Sequence, residues 1–208
     1  EWWTARANQK TEPDGRLVLE RLLRNYPHDY EGWFTMHEVE LAAGHLERAA
    51  YCLNQVIENR PTSVLAYNNL GYLYVEMGRW DDALEALRKY AFIYSEEANP
   101  HDSLGELYER LGRYPEAMGE YDRALAADST FYWSHAHRAR MLFALGRAEE
   151  ALHRLETVPA ALRRGNSVPF LLNQRFAINL RLGRYDRAAE ILARPEASNG
   201  ERRWWLQM

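Results

Sequence analysis

Cysteine is all but missing from this chain: Cys52 is the only one among 208 residues. One thiol cannot close an intrachain disulfide, and neither a CxxC pair nor a Cys/His metal pattern can be built from it. Cys52 is expected to be a small buried apolar residue. A single thiol does not fix the redox compartment, so cytoplasm and periplasm both stay open, with the cytoplasm slightly favoured. Lysine is nearly absent too. Of 26 basic residues only Lys10 and Lys89 are lysines, a bias read first as genome composition. Set against 30 acidic residues they leave a net charge of −4, too near neutral for a nucleic-acid-binding domain. No run approaches the ~18 apolar residues of a membrane span, and no basic-then-apolar leader opens the chain. It begins at Glu1 instead of methionine, so a processed or trimmed start is expected.

The motifs of catalysis are missing as well. No GxxxxGK[ST], GxGxxG or GxSxG occurs. His37-Glu38 opens like HExxH, but the fifth residue is Leu41, so no zinc pair forms. His135 and His137 are two apart, on nearly opposite faces of a helix, and cannot share a metal. Glu96-Glu97 and Glu149-Glu150 read as exposed helical pairs, not acid–base dyads. No catalytic residue, metal ligand or cofactor is therefore expected.

What the chain does have is a period. Gly44, Gly78, Gly112 and Gly146 stand 34 residues apart, and Gly183 follows after 37. The three extra residues fall near Arg163-Arg164-Gly165-Asn166, a loop-like stretch. Five residues after each glycine stands alanine (Ala49, Ala83, Ala117, Ala151, Ala188), and nine after it a large apolar residue (Leu53, Leu87, Tyr121, Leu155, Leu192). Eleven before it come Trp33, Tyr67, His101, His135 and Leu172, and seven before it Gly71, Gly105 and Ala139 in the middle copies. Arginine follows the glycine as Arg79, Arg113, Arg147 and Arg184. Each offset has a physical role. The glycine ends one helix where a left-handed residue is needed. The small residues let two helices approach, the bulky ones fill the gap between copies, and Pro27 and Pro61 stop second helices.

This pattern resembles the tetratricopeptide-repeat family, whose helix–turn–helix unit is 34 residues long. Its clearest copies run from Tyr67 through Gly71 and Tyr74 to Gly78 and Ala83, and from Ser103 through Gly105 and Tyr108 to Gly112 and Ala117. The likeness covers roughly residues 12–194. It implies an all-α, right-handed superhelical solenoid of antiparallel helix pairs, read as one domain. Five repeats are expected (30–63, 64–97, 98–131, 132–168, 169–195), after a degenerate one (1–29) and before a tail (196–208). Helices are expected near 30–43, 46–59, 64–77, 80–93, 98–111, 114–127, 132–145, 148–158, 169–182 and 185–194, eleven or twelve in all. His37 and Phe176 replace the small residue, Arg138 and Arg175 the leucine beside it, and Pro195 shortens the last helix.

In such a stack the first helices line a concave binding face. The residues expected there are Glu31, Phe34 and Glu38; Leu65, Asn68 and Tyr72; Asn99, Asp102 and Glu106; Trp133, Ala136 and Arg140; Phe170, Asn173 and Ala177, adjoined by Glu76, Glu109, Arg110 and Phe143. Partner contacts are assigned to Glu31, Phe34, Glu38, Asn68, Tyr72, Asp102, Glu106, Trp133 and Arg140. The face is acidic in its first and central parts and aromatic beyond. That suits a protein or peptide with basic and apolar features. A subset of the family clamps chaperone C-terminal carboxylates with cations; here Phe34, Glu38, Asn99 and Ser103 fill those places beside Asn69, so that activity is rejected. Trp2-Trp3 and Trp204-Trp205 suggest capping of the stack ends, or docking to a neighbour or a membrane interface, with Arg202-Arg203 and Leu206 beside the second pair. The function expected is a non-enzymatic scaffold or assembly factor. The alternatives are a regulatory or targeting region of a larger enzyme or complex, and RNA binding, against which the charge counts.

Overall fold

The computed structural model describes residues 13–163 and 167–194. The expectations for Trp2, Trp3, Gly165, Asn166, Pro195, Arg202, Arg203, Trp204, Trp205 and Leu206 lie outside those residues. Among the described residues there are eleven α-helices, one 3₁₀ turn and no strand. They are α1 (Pro13–Asn25), α2 (Tyr30–Ala42), α3 (Leu46–Asn59), α4 (Val64–Glu76), α5 (Trp80–Ile93), α6 (Ala98–Arg110), α7 (Tyr114–Ala127), α8 (Tyr132–Ala144), α9 (Ala148–Glu156), α10 (Ser167–Arg181) and α11 (Tyr185–Leu192). The chain divides into two compact units, 1–95 and 96–208. Within the first, α2 packs on α3, α4 on α5, and α3 on α4; within the second, α6 packs on α7, α8 on α9, and α10 on α11. No described helix is long and apolar enough to cross a membrane.

The turn between the two helices of a pair is the same each time, and glycine causes it. Gly44, Gly78, Gly112, Gly146 and Gly183 have φ between 70° and 76°, a region that costs a side-chain-bearing residue energy. This places the next amide over the ending helix. His45 N–H reaches Glu40 O at 2.9 Å, Arg79 N–H reaches Tyr74 O at 2.8 Å, and Arg113 N–H reaches Tyr108 O at 2.8 Å. Orphan carbonyls at the helix end are satisfied in this way.

The arginine after the glycine then ties the turn down. Arg79 stacks its guanidinium 4.5 Å from the Tyr74 ring centroid and pairs with Asp82, and Arg113 does the same with Tyr108, at 4.7 Å, and Glu116. Arg79 also reaches Glu47 of the preceding pair, and Arg184 reaches Glu149. The carboxylates in the first turns of these second helices also suit the helix dipole.

Packing follows the small residues. A Cβ on Gly71 would lie 2.5 Å from Leu87, and one on Gly105 would lie 2.5 Å from the Tyr121 ring. Ala49, Ala83, Ala117 and Ala151 are completely buried. Cys52 lies in a cluster with Leu19, Leu23 and Met36, and burial pushes its thiol up to about 12. The degenerate first copy therefore contributes α1 as a cover for α2 and α3.

The sequence expectation departs from the structure between the second and third pairs of the second unit. α9 stops at Glu156, a 3₁₀ turn occupies Ala160–Arg163, and α10 begins at Ser167 instead of 169. Pro169 is accommodated because the first turn of a helix does not use its N–H groups internally.

His37, which replaces a small residue, is buried and donates Nδ1–H to Ala49 O at 3.2 Å. Burial lowers its pKa below 6.5, ahead of the opposing effects of the Ala49 bond and the Glu38 charge. Above pH 6.5 the imidazole is neutral in both folded and unfolded chains, and nothing is lost. Below it the unfolded chain takes up a proton that the folded chain refuses, so stability falls, by at most about 1.4 kcal/mol per pH unit until the depressed pKa is reached. Urea unfolding of His37→Gln is expected to show a flatter pH dependence below this point than the wild type. Parallel curves would contradict the assignment.

Candidate functional site

In the first unit the expected face is built by α2 and α4. Asp29 caps α2, accepting from the N–H groups of Glu31 and Gly32 at 3.1 and 3.2 Å. The helical period then aligns Glu31, Phe34 and Glu38 as one stripe. These three line a cavity of about 550 Å³ together with Tyr30, Arg60 and Leu65. Leu65 is exposed and Phe34 and Glu38 are half-buried. Phe34 stands edge-on to the buried His37 ring, centroids 5.7 Å apart. Arg60 lies 4.9 Å from the Tyr30 ring centroid. Glu38 makes no hydrogen bond or ion pair among the described residues. Asn68 and Tyr72 lie further along α4, outside that lining, with Tyr72 exposed.

In the second unit the face has aromatic residues above and a polar network beneath. Trp133 is exposed and stacks edge-on to Phe170, with centroids 4.3 Å apart, while Tyr132 meets the same ring at 5.6 Å. Arg140 forks onto Glu109 with two bonds of 2.7 Å, and Glu109 also accepts from the Tyr121 hydroxyl at 3.0 Å. Burial opposes the Arg140 charge, but its bonds to Glu109 prevail and raise its pKa. Burial, reinforced by Glu109, drives the Tyr121 pKa far upward. Glu106 is half-buried, 3.6 Å from His137 Nε2.

Asp102 is not where the sequence put it. It is 5% exposed, and its carboxylate accepts from Ser134 Oγ at 2.6 Å and His137 Nδ1 at 3.1 Å. A carboxylate needs such donors to be buried at all. Glu106, one turn on and expected on the face as well, is half-buried. Ala136, likewise expected on the face, is fully buried in the core cluster of Leu142, Leu152 and Leu171. Glu31 and Trp133 are exposed, Phe34 and Glu38 are half-buried, and Arg140 is half-covered by its pairing.

The network that sequence reasoning missed is Ser134, His137 and Tyr121 around Asp102 and Glu109. Serine, histidine and aspartate meet here, but the wiring is not that of a nucleophile and its base. Ser134 and His137 both point at one carboxylate, and the hydroxyl is wholly buried. A triad requires the histidine to stand between the other two. A signal for this network was present. Nine residues before each turn glycine stand Thr35, Asn69, Ser103, His137 and Gln174, polar in every copy. Thr35, Ser103 and His137 are buried.

Comparison with known proteins agrees with this architecture. Residues 52–85 and 108–166 match tetratricopeptide-repeat family models. "Anaphase-promoting complex subunit 3" of Schizosaccharomyces pombe is 26% identical over 207 residues, covering 81% of this chain and 30% of that protein. "Protein CTR9 homolog" of Arabidopsis thaliana is 31% identical over 84 residues, covering 40% of this chain and 8% of that protein. The chain thus spans less than a third of either relative. Among solved structures, a tetratricopeptide-repeat protein from Parabacteroides merdae superposes with a TM-score of 0.72 at 18% identity, covering 86% of this chain and 70% of that one. PilW, described as a type IV pilus biogenesis factor, superposes with a TM-score of 0.70 at 18% identity, covering 93% and 90%. At these identities the structural likeness shows the fold, an all-α helical-repeat solenoid. Over the two stretches matched by family models, 52–85 and 108–166, and with the glycine-turned helix pairs in place, the chain carries tetratricopeptide repeats.

Proposed function

We propose that this chain is a non-enzymatic scaffold or assembly factor that holds a protein or peptide on the face formed by its first helices. The observation that carries this reading is made in each unit by itself, on α2 and α4 of the first and on α8 of the second. Phe34, Leu65 and Tyr72 in the first unit, which also carries Glu31 and Glu38, and Trp133 in the second are large side chains left partly accessible. Aromatic anchors set among charges are the composition of recognition surfaces, not of plain solvated ones. The charge suits a partner with basic and apolar features, and both units, joined by an unbroken 34-residue period from Gly78 to Gly112, serve as one domain in this reading. Among the fold's neighbours, YrrB is described as having "an unusual peptide-binding site" and Cut9 was solved with Hcn1, which supports occupation by another chain. The test is affinity isolation of the native protein followed by mass spectrometry, repeated with Phe34→Ala, Tyr72→Ala and Trp133→Ala. The expected outcome is loss of the same partner by at least one variant, by about tenfold for a central anchor. Retention by all three would remove this face from the function.

A second reading is that the chain is a regulatory or targeting region of a larger enzyme or multi-subunit complex. It is favoured by the coverage of only 30% of a relative whose name places it in a complex. A catalytic domain in the same reading frame would decide for it.

A further inference from the structure

The cavity of the first unit can be read more narrowly than as a generally basic-and-apolar site. We infer that it takes an arginine side chain of the partner, stacked on Phe34 between Glu31 and Glu38; this rests on the scaffold reading above.

Three features converge on guanidinium. First, Phe34 stands between Glu31 and Glu38 at spacings of three and four residues on one helix face, and all three line the cavity. A planar cation lying on Phe34 has a carboxylate on either side of it. Arginine can stack and hydrogen-bond at once because its fork is flat and rigid; an ammonium is a point charge with no face. Second, the ring is held for this use. His37 meets Phe34 in a T-shaped contact, centroids 5.7 Å apart, and its own Nδ1 is fixed by Ala49 O. Third, the carboxylates have charge to spare. Glu38 is half-buried without a hydrogen bond or ion pair among the described residues, and Glu31 receives only the Tyr30 hydroxyl at 3.3 Å. The one cation in the lining, Arg60, is drawn onto the Tyr30 ring. Its place over Tyr30 illustrates the same guanidinium–ring contact in the same lining. A cavity of about 550 Å³ exceeds what one side chain fills, and exposed Leu65 supplies an apolar surface for the residue next to the arginine.

The occupant is separable from its rivals by experiment. The probe is a display library of random twelve-residue peptides, selected against the full chain and counter-selected against Phe34→Ala and Glu38→Gln. Both variants change accessible side chains, and unaltered helical circular dichroism confirms that they fold. The expected result is enrichment of peptides with a fixed arginine beside an apolar residue. The best of them, resynthesised with citrulline in place of arginine, should lose about tenfold in affinity, and with lysine several-fold. Glu38→Gln should weaken the arginine peptide by a similar factor while leaving the citrulline peptide unchanged. Peptides that need Phe34 or Trp133 but show no arginine preference would overturn the inference and leave the scaffold reading standing. Equal affinity for arginine and lysine peptides would overturn the stacked geometry. Failure to enrich any peptide sensitive to either aromatic residue would count against both readings.

Discussion

Gly105→Ala is expected to destabilise the protein by about 2–3 kcal/mol and to lower the midpoint of thermal unfolding by roughly 5–10 °C. The added methyl would sit 2.5 Å from the Tyr121 ring. Tyr121 has no room to withdraw, since it is fully buried and its hydroxyl is bonded to Glu109. The helices α6 and α7 would have to separate, and with them the frame that carries Glu106 and Glu109. Gly119→Ala is the control. That glycine lies in α7 with nothing within 4 Å of its missing Cβ, so alanine should stabilise by about 0.5–1 kcal/mol through helix propensity alone. Differential scanning calorimetry on both variants checks the pair. A Gly105→Ala protein as stable as the wild type would mean that close helix approach does not depend on that position.

The second large effect is expected at Asp102. Truncation to alanine removes the shared acceptor of Ser134 and His137, side chains that are 0% and 4% exposed as residues. Two buried donors would be left unsatisfied, at a cost of about 3 kcal/mol in total. Denaturant unfolding measures this directly. The result also separates two roles for the residue. A support beneath the face predicts lower stability with partner affinity changed only in proportion to unfolding. A direct contact predicts normal stability and lost affinity. The network lies under Trp133, whose ring centroid is 6.3 Å from that of His137, so a support role also predicts altered Trp133 fluorescence in the folded variant.

The fold was highly legible, and the reason is that its punctuation is chemical. Glycine at positive φ, alanine where helices touch and proline after second helices act locally, so a 34-residue period shows through without knowledge of the partner helix. The helix limits follow from it to within a residue or two from α2 to α8. The period faltered where residues were added. The short α9, the 3₁₀ turn and the early start of α10 could not be placed from spacing alone, because an insertion can be absorbed in several ways. The face was only partly legible. Offsets identify which side of a helix a residue is on, but not whether a neighbour will cover it. Asp102 has an outward-looking offset, yet Ser134 and His137 arrive from α8 and enclose it. The same blindness applied to Arg140, whose fork is already engaged by Glu109. Glu31, Phe34 and Glu38 do line one cavity, since their stripe lies on one helix and needs no neighbour to be placed.

The arginines after the turn glycines show a further limit. Their recurrence was plain, but their role became clear only when Tyr74, Asp82 and Glu47 were seen around Arg79. Exposed pairs of this kind contribute little singly, so the stacking and the link between successive pairs matter more than the charges themselves.

Hydrogen–deuterium exchange of the native protein, with and without its co-isolated partner, most directly tests whether the first helices form the receiving surface. Occupation of that surface predicts slowed exchange in peptides from α2, α4, α6, α8 and α10, with α3, α5, α7 and α9 nearly unchanged. Protection confined to α3, α5, α7 and α9 would contradict it.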